Sequence, residues 1–202
     1  MRVLHDEVPD DDDFDASRHR GEFDNVTPED FNNNPPGWLD RSEISEIRSK
    51  VPIPYIVIVP VHCDEFGRVK RVASILHVGD NGVIERTIIA GRVLYHESIR
   101  EAIARNITRD LGDIALPELP HSLQPFTVAE FFPTPGASSY YDPRQHAIAL
   151  CYVVNISGDC NPQDETLDVE WGNPHSNSFD DFLDQLSNGF DVIVRKALSW
   201  LE

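Results

Sequence analysis

Between residues 97 and 111, the positions Ile99, Ala102, Ile103, Ile107 and Leu111 recur at helical spacing and fall on one arc, and Gly112 follows at once. This spacing predicts an amphipathic helix with a glycine C-cap, one face apolar and needing a partner surface. Its neighbours supply that surface. Tyr55 to Val59 is a β-branched apolar run, and Val69 to Val78 and Val83 to Ala90 are two further strand candidates. The last two are joined by Gly79-Asp80-Asn81-Gly82, an Asn-Gly hairpin signal. After a loop with Pro117, Pro120 and Pro125, strands are expected near Phe126 to Phe132, Ala147 to Ile156 and Thr166 to Trp171. Helices follow near Phe179 to Leu186 and Phe190 to Leu201. The order strands, helix, strands, helices suits a mixed sheet with helices on both faces better than a bundle or a pure sandwich.

The first 36 residues carry the acidic run Asp6 to Asp13 and the turn-rich Asn32 to Pro36, with little to bury. They read as an acidic, disordered arm. From residue 37 to 50, Trp38, Leu39, Ile44 and Ile47 fall at near-helical spacing, with Ser42 as the expected N-cap and Pro52 as the stop. This short helix should pack on a domain spanning 51 to 202.

The formal charge of −18 repels a nucleic-acid backbone, and no basic patch offsets it. Nucleic-acid polymers are therefore not expected partners, whereas a small phosphorylated ligand can be gripped by a few arginines in one cleft. No apolar run is long enough for a membrane span, and the N-terminus has no positively charged region followed by an apolar one, so a secretory leader is not expected. The three cysteines (Cys63, Cys151, Cys160) form neither a disulfide framework nor a CxxC pair, which fits a reducing cytoplasm. The spacing of His62, His77, His96 and His121 suggests no zinc site.

The stretch Gly91 to Gly112 resembles the Nudix box. That motif reads Gly, five residues, Glu, seven residues, then Arg-Glu-U-x-Glu-Glu-x-Gly-U, with U a bulky aliphatic residue. Gly91, Glu97, Arg105, Ile107 and Gly112 stand in their places, and Asp113 replaces the final aliphatic residue. The resemblance covers about 150 residues. It is strongest to a bacterial Nudix-like subgroup of unassigned function, through TVAEFFPTPG (127–136) and DPRQH (142–146). It implies an α/β/α sandwich with a mixed central sheet, and a homodimer.

In active members, glutamates of the Arg-Glu-U-x-Glu-Glu segment hold magnesium, which bridges a diphosphate and helps position the attacking water. Asn106, Arg109 and Asp110 occupy those glutamate places here. Asn106 and Asp110 are four residues apart and share a helix face, offering an amide oxygen and one carboxylate. Arg109 repels a dication and can pair with a neighbouring acid. The resemblance thus implies magnesium or manganese, while the altered residues argue against strong binding. Glu97 and Arg105 inherit the family's pairing of loop and helix.

Outside the motif, Glu130 is a carboxylate that could complete a metal set, as could Asp168 or Glu170. Arg92, Arg109, Arg144 and His146 are candidate phosphate or carboxylate ligands, and Tyr140 and Tyr141 candidates for stacking on a base or sugar. Three functional readings follow. The first is a binding module for a nucleotide-like or other phosphorylated ligand, with weak or no pyrophosphohydrolase activity. The second is a divergent magnesium- or manganese-dependent hydrolase using Asp110. The third is a protein-interaction module.

Overall fold

The computed structural model describes residues 39–78, 82–162 and 166–201. The acidic arm and most of the Gly79–Gly82 turn lie outside these residues.

Helix α1 (Arg41–Arg48) starts two residues earlier than Ser42 capping requires. Asp40 is the cap: its carboxylate accepts the Ser42 and Glu43 N–H groups at 2.8 and 2.9 Å, and Glu43 accepts the Asp40 N–H in return. A carboxylate at this place also favours the positive end of the helix dipole, so Asp40 outcompetes the hydroxyl two residues on.

Among the described residues eight strands form one sheet: β1 (Ile53–Cys63), β2 (Val69–Val78), β3 (Ile84–Thr87), β4 (Ile89–Arg92), β5 (Pro117–Glu118), β6 (Thr127–Phe131), β7 (Ala147–Ile156) and β8 (Thr166–Gly172). β1 and β7 run parallel from Ile53↔Ala147 to Val61↔Asn155, and all other pairings are antiparallel. The sheet is therefore mixed. The expected strand from Val83 to Ala90 is two strands, because β3 pairs with β2 while β4 pairs with β1. The break falls at Ile88, buried on one face of the sheet while the adjacent Ile89 is buried on the other.

β1 is longer than its apolar run and contains Pro60. The Ile53 N–H donates to His146 O across to β7, and Pro54 O accepts from Val93 on the other side, so even-numbered residues turn their backbone away from β7. On that side β4 ends opposite Ile58 and β2 begins opposite Val61. Pro60 sits in the gap, where its missing N–H costs no ladder bond.

Alternation along β1 builds two cores. Tyr55, Val57, Val59 and Val61 face one side, which α1, α3 (Phe179–Leu183) and α4 (Phe190–Leu201) cover. Ile56 and Ile58 face the other, under α2 (Ile99–Leu111). Ile103 and Ile107 of α2 are fully buried, and truncating either to alanine is expected to cost about 2–5 kcal/mol. α2 opens on a Ser98–Glu101 capping box and closes at Gly112, whose φ of +88° and contact with the Asn161 backbone leave no room for a side chain. The result is the expected α/β/α sandwich, with α3 shorter than its predicted span to Leu186. All three cysteines are free, and among the described residues no helix is long and apolar enough to cross a membrane.

Candidate functional site

β4 delivers the chain into the loop before α2, and α2 then returns across the same strand. Gly91 pairs with Ile56 of β1 and faces α2. A Cβ there would overlap the Asn106 amide oxygen and come within 2.8 Å of its Cγ. Asn106 is fully buried; its Nδ2 donates to Ala102 O at 2.8 Å, and its Oδ1, against Gly91, has no hydrogen-bond partner. The loop itself is tied by Glu97. Its carboxylate accepts Arg105 Nε at 2.6 Å, Arg105 Nη2 at 2.9 Å and the Leu94 N–H at 2.9 Å, while Arg105 Nη2 also reaches Arg92 O. Loop and helix are thus clamped by one bidentate pair. His96, between them, takes a left-handed conformation (φ 64°), and Tyr95 beside it is exposed.

One turn after Asn106, Asp110 lies almost wholly buried. Arg109 places Nε 2.7 Å from Oδ1 and Nη2 2.9 Å from Oδ2, and the same Nη2 donates to Ala90 O at 2.9 Å. Both carboxylate oxygens are engaged by the chain's own guanidinium.

The other candidates lie elsewhere. Arg92 pairs in register with Tyr55, one residue out of phase with Gly91, so alternation sends its side chain to the sheet face opposite α2. Glu130 is exposed on β6 and reaches the β4 position only across β7 and β1, three strand spacings or about 14 Å away. It cannot share a ligand set with Asp110. Asp168 and Glu170 are held by Arg86 at 3.2 and 3.3 Å. Arg144 is folded back onto Asp142, at 3.0 and 3.2 Å. His146 stacks on Phe132 with ring centroids 4.4 Å apart. Tyr140 is buried in the core with its hydroxyl accepting from Lys196, and Tyr141 is half-buried, bridged to Phe132 through its backbone.

Two features escaped the sequence reading. Gln145, fully buried, accepts Arg48 Nε at 2.9 Å and donates to Asp142 at 3.0 Å, binding α1 to the entrance of β7. On the α2 face of the sheet, beyond the helix, Val93, Pro54, Ile148 and Glu130 stand side by side on β4's end, β1, β7 and β6. Ile148 and neighbouring Val128 are 40% and 52% exposed, giving an uncovered apolar strip beside the 91–97 loop. Only the strand order reveals it.

Residues 34–202 match the family described as a domain of unknown function, DUF4916, and the chain belongs to it. No curated protein matches the chain. Among solved structures, a protein described as a possible asymmetric diadenosine tetraphosphate hydrolase from Jonesia denitrificans is 42% identical, over 75% of this chain and 96% of that one, with a TM-score of 0.70. The Nudix domain of Shewanella oneidensis NrtR, solved with ADP-ribose, superposes at 0.55 with 15% identity, covering 88% and 100%. A C. elegans Ap4A hydrolase superposes at 0.53 with 10% identity, covering 74% and 97%.

The chain has the Nudix fold.

For a Nudix protein the implied cation is magnesium or manganese, which requires several oxygen donors, charged ones among them. Asn106 offers one neutral amide oxygen, and the Asp110 oxygens already accept from Arg109. Among the described residues no three His, Cys, Asp or Glu side chains converge as a metal-holding group. This donor set does not fit a divalent cation while Arg109 keeps its place.

Proposed function

We propose that this Nudix chain binds a nucleotide-like or other phosphorylated ligand on the α2 face of its sheet and hydrolyses it weakly or not at all. The observation that carries this reading is the Arg109–Asp110 pair. Three glutamates on that face would present a charge of −3, which phosphate approaches only behind a metal ion. Asn106, Arg109 and Asp110 sum to zero, so an anionic group meets far less repulsion there without metal. The exposed strip of Pro54, Ile148 and Val128 offers a flat apolar rest for a base or sugar beside the 91–97 loop. Cytoplasmic location and a homodimer belong to the same proposal.

The test is calorimetric titration of a non-hydrolysable ADP-ribose or dinucleoside polyphosphate analogue, with magnesium, with manganese and with chelator. Equal affinity in all three supports a metal-independent binding module. Binding that needs the metal favours the second reading, a divergent hydrolase using Asp110, which the 42% identity to the Jonesia protein supports. Asp110→Ala should then abolish turnover with folding intact. Absence of binding in every arm would overturn both.

A further inference from the structure

The acidic surface expected from the sequence is interrupted at the tip of the β1–β2 hairpin. Arg68, Lys70 and Arg71 are all exposed there, beside Phe66, which is 74% exposed with the Arg68 guanidinium 5.8 Å over its ring. The register of β1 on β2 shifts between His62 and Cys63, which pair with Arg71 and Val69, so Lys70 is bulged out between them. Two acids share the tip. Asp64 closes the turn, accepting the Phe66 and Arg68 N–H groups at 3.0 and 2.9 Å and lying 3.1 Å from Lys70 Nζ, and Glu65 is exposed. Elsewhere exposed Lys50 and Arg195 sit against Glu46 and Asp180, whereas among the described residues neither guanidinium of the tip has a carboxylate at ion-pair distance. This patch is too local to draw a nucleic-acid backbone to a chain of charge −18.

We infer that this tip is the docking site of the chain's own acidic run, Asp6 to Asp13. The first 36 residues hold eleven acids against three bases, and Asp10-Asp11-Asp12-Asp13 is their densest stretch. Four contiguous carboxylates complement three cations set within four residues, and a guanidinium offers paired N–H donors to a carboxylate. The 25 residues from 14 to 38 join the run to Leu39. Fully extended they span roughly 80 Å, about twice the breadth of a domain of this size. Exposed ion pairs are individually weak, so a separate acidic peptide would bind the tip poorly. The tether instead holds the run at an effective concentration on the order of millimolar, which populates the docked state. Pro54, which accepts the Val93 N–H beside the 91–97 loop, lies near the other end of β1, roughly 30 Å from the tip. Docking therefore leaves the proposed ligand face open and does not depend on it. An acidic partner protein must displace the arm to reach Phe66, Arg68 and Arg71.

The test is zero-length carbodiimide coupling of the full chain, which joins a lysine amine only to a carboxylate in contact with it. Lys70 is the reporter, and Lys50 and Lys196 are the chain's other lysines. In the monomeric product at low salt, Lys70 should be joined to the peptide carrying Asp6 to Asp13, and the other two lysines should not. The link should be lost at about 0.5 M salt, where screening confines exposed charges to a few ångströms. It should also be lost in Asp10→Asn/Asp11→Asn/Asp12→Asn/Asp13→Asn, and in Arg68→Ser/Arg71→Ser, which keeps the reacting amine. A second readout needs neither coupling nor a change in the domain: the amide resonances of Gly67 to Arg71 should differ between wild type and the asparagine variant at low salt and coincide at high salt. Should Arg68→Ser/Arg71→Ser fold poorly, that comparison decides. Lys70 joined only to Asp64 or Glu65, a link that survives loss of both arginines, or a run joined equally to all three lysines would overturn the inference. So would a link confined to covalent dimers, which would place the arm on a second copy of the chain.

Discussion

Gly91 and the side-chain amide of Asn106 occupy adjoining space so tightly that a single methyl group on Gly91 would overlap the amide oxygen. The amide cannot swing aside without giving up its bond to Ala102 O inside a fully buried helix face. Gly91→Ala is therefore expected to cost about 3 kcal/mol, the upper range for overpacking a rigid site. Asn106→Ala should relieve the overlap, so the double variant should be more stable than Gly91→Ala alone, which urea denaturation measures as a coupling energy. A fully additive cycle would show that the two residues do not meet.

The Glu97–Arg105 pair makes a second, separate prediction. Its side chains are only 11% exposed, so removing one charge strands the other in a poor solvent. Arg105→Ala should lose about 3–5 kcal/mol and release the Leu94 N–H that Glu97 accepts. Arg105→Lys should recover little, because an ammonium cannot span both Glu97 oxygens and Arg92 O. Hydrogen exchange at Leu94 reads this directly; unchanged protection in Arg105→Ala would mean the loop is held by something else.

These two contacts show what could be read from the chain. The helix from Ile99 to Leu111 was legible because its periodicity, cap and terminal glycine are local, and Arg109 beside Asp110 was legible as a sequence neighbour able to pair. The side to which Arg92 points was not, since it depends on the register of β4 against Tyr55. The place of Glu130 is hidden for the same reason: its distance from Asp110 is set by the order β4-β1-β7-β6, which no local pattern encodes. Arg144 is a different case. Asp142 lies two residues before it across a turn, so the ion pair that folds Arg144 back is local and within reach of a sequence reading.

The Arg48–Gln145–Asp142 chain places α1 on the domain, and its middle link is neutral. Gln145→Ala would leave Asp142 Oδ2 and Arg48 Nε each short of a bond in a buried setting, at about 2–3 kcal/mol. Arg144→Ala should cost less, because that side chain is 29% exposed and water can replace it. Limited proteolysis distinguishes a local from a global loss: Gln145→Ala should accelerate cleavage near residues 48–51 before the sheet opens. Equal rates in wild type and variant would place the anchor of α1 in its apolar contacts through Ile44 and Ile47 instead.

His62 gives the fold a pH dependence near neutrality. It stacks on Trp171 with ring centroids 3.7 Å apart, and its buried Nε2 has no hydrogen-bond partner. Burial pushes its pKa below the usual histidine value and Arg71 pushes it the same way, while Asp159 opposes them with a smaller effect. The unfolded chain therefore takes up this proton at a higher pH than the folded one does. The stability owed to neutral His62 is fully present above the unfolded value of about 6.5 and is lost as pH falls through the lower folded value. Wild type should lose thermal stability between pH 7 and pH 5, and His62→Phe, which keeps an aromatic ring on Trp171, should show a shallower slope over that interval. Parallel slopes would mean that the folded site accommodates the imidazolium as well as water does, by turning Nε2 toward Asp159.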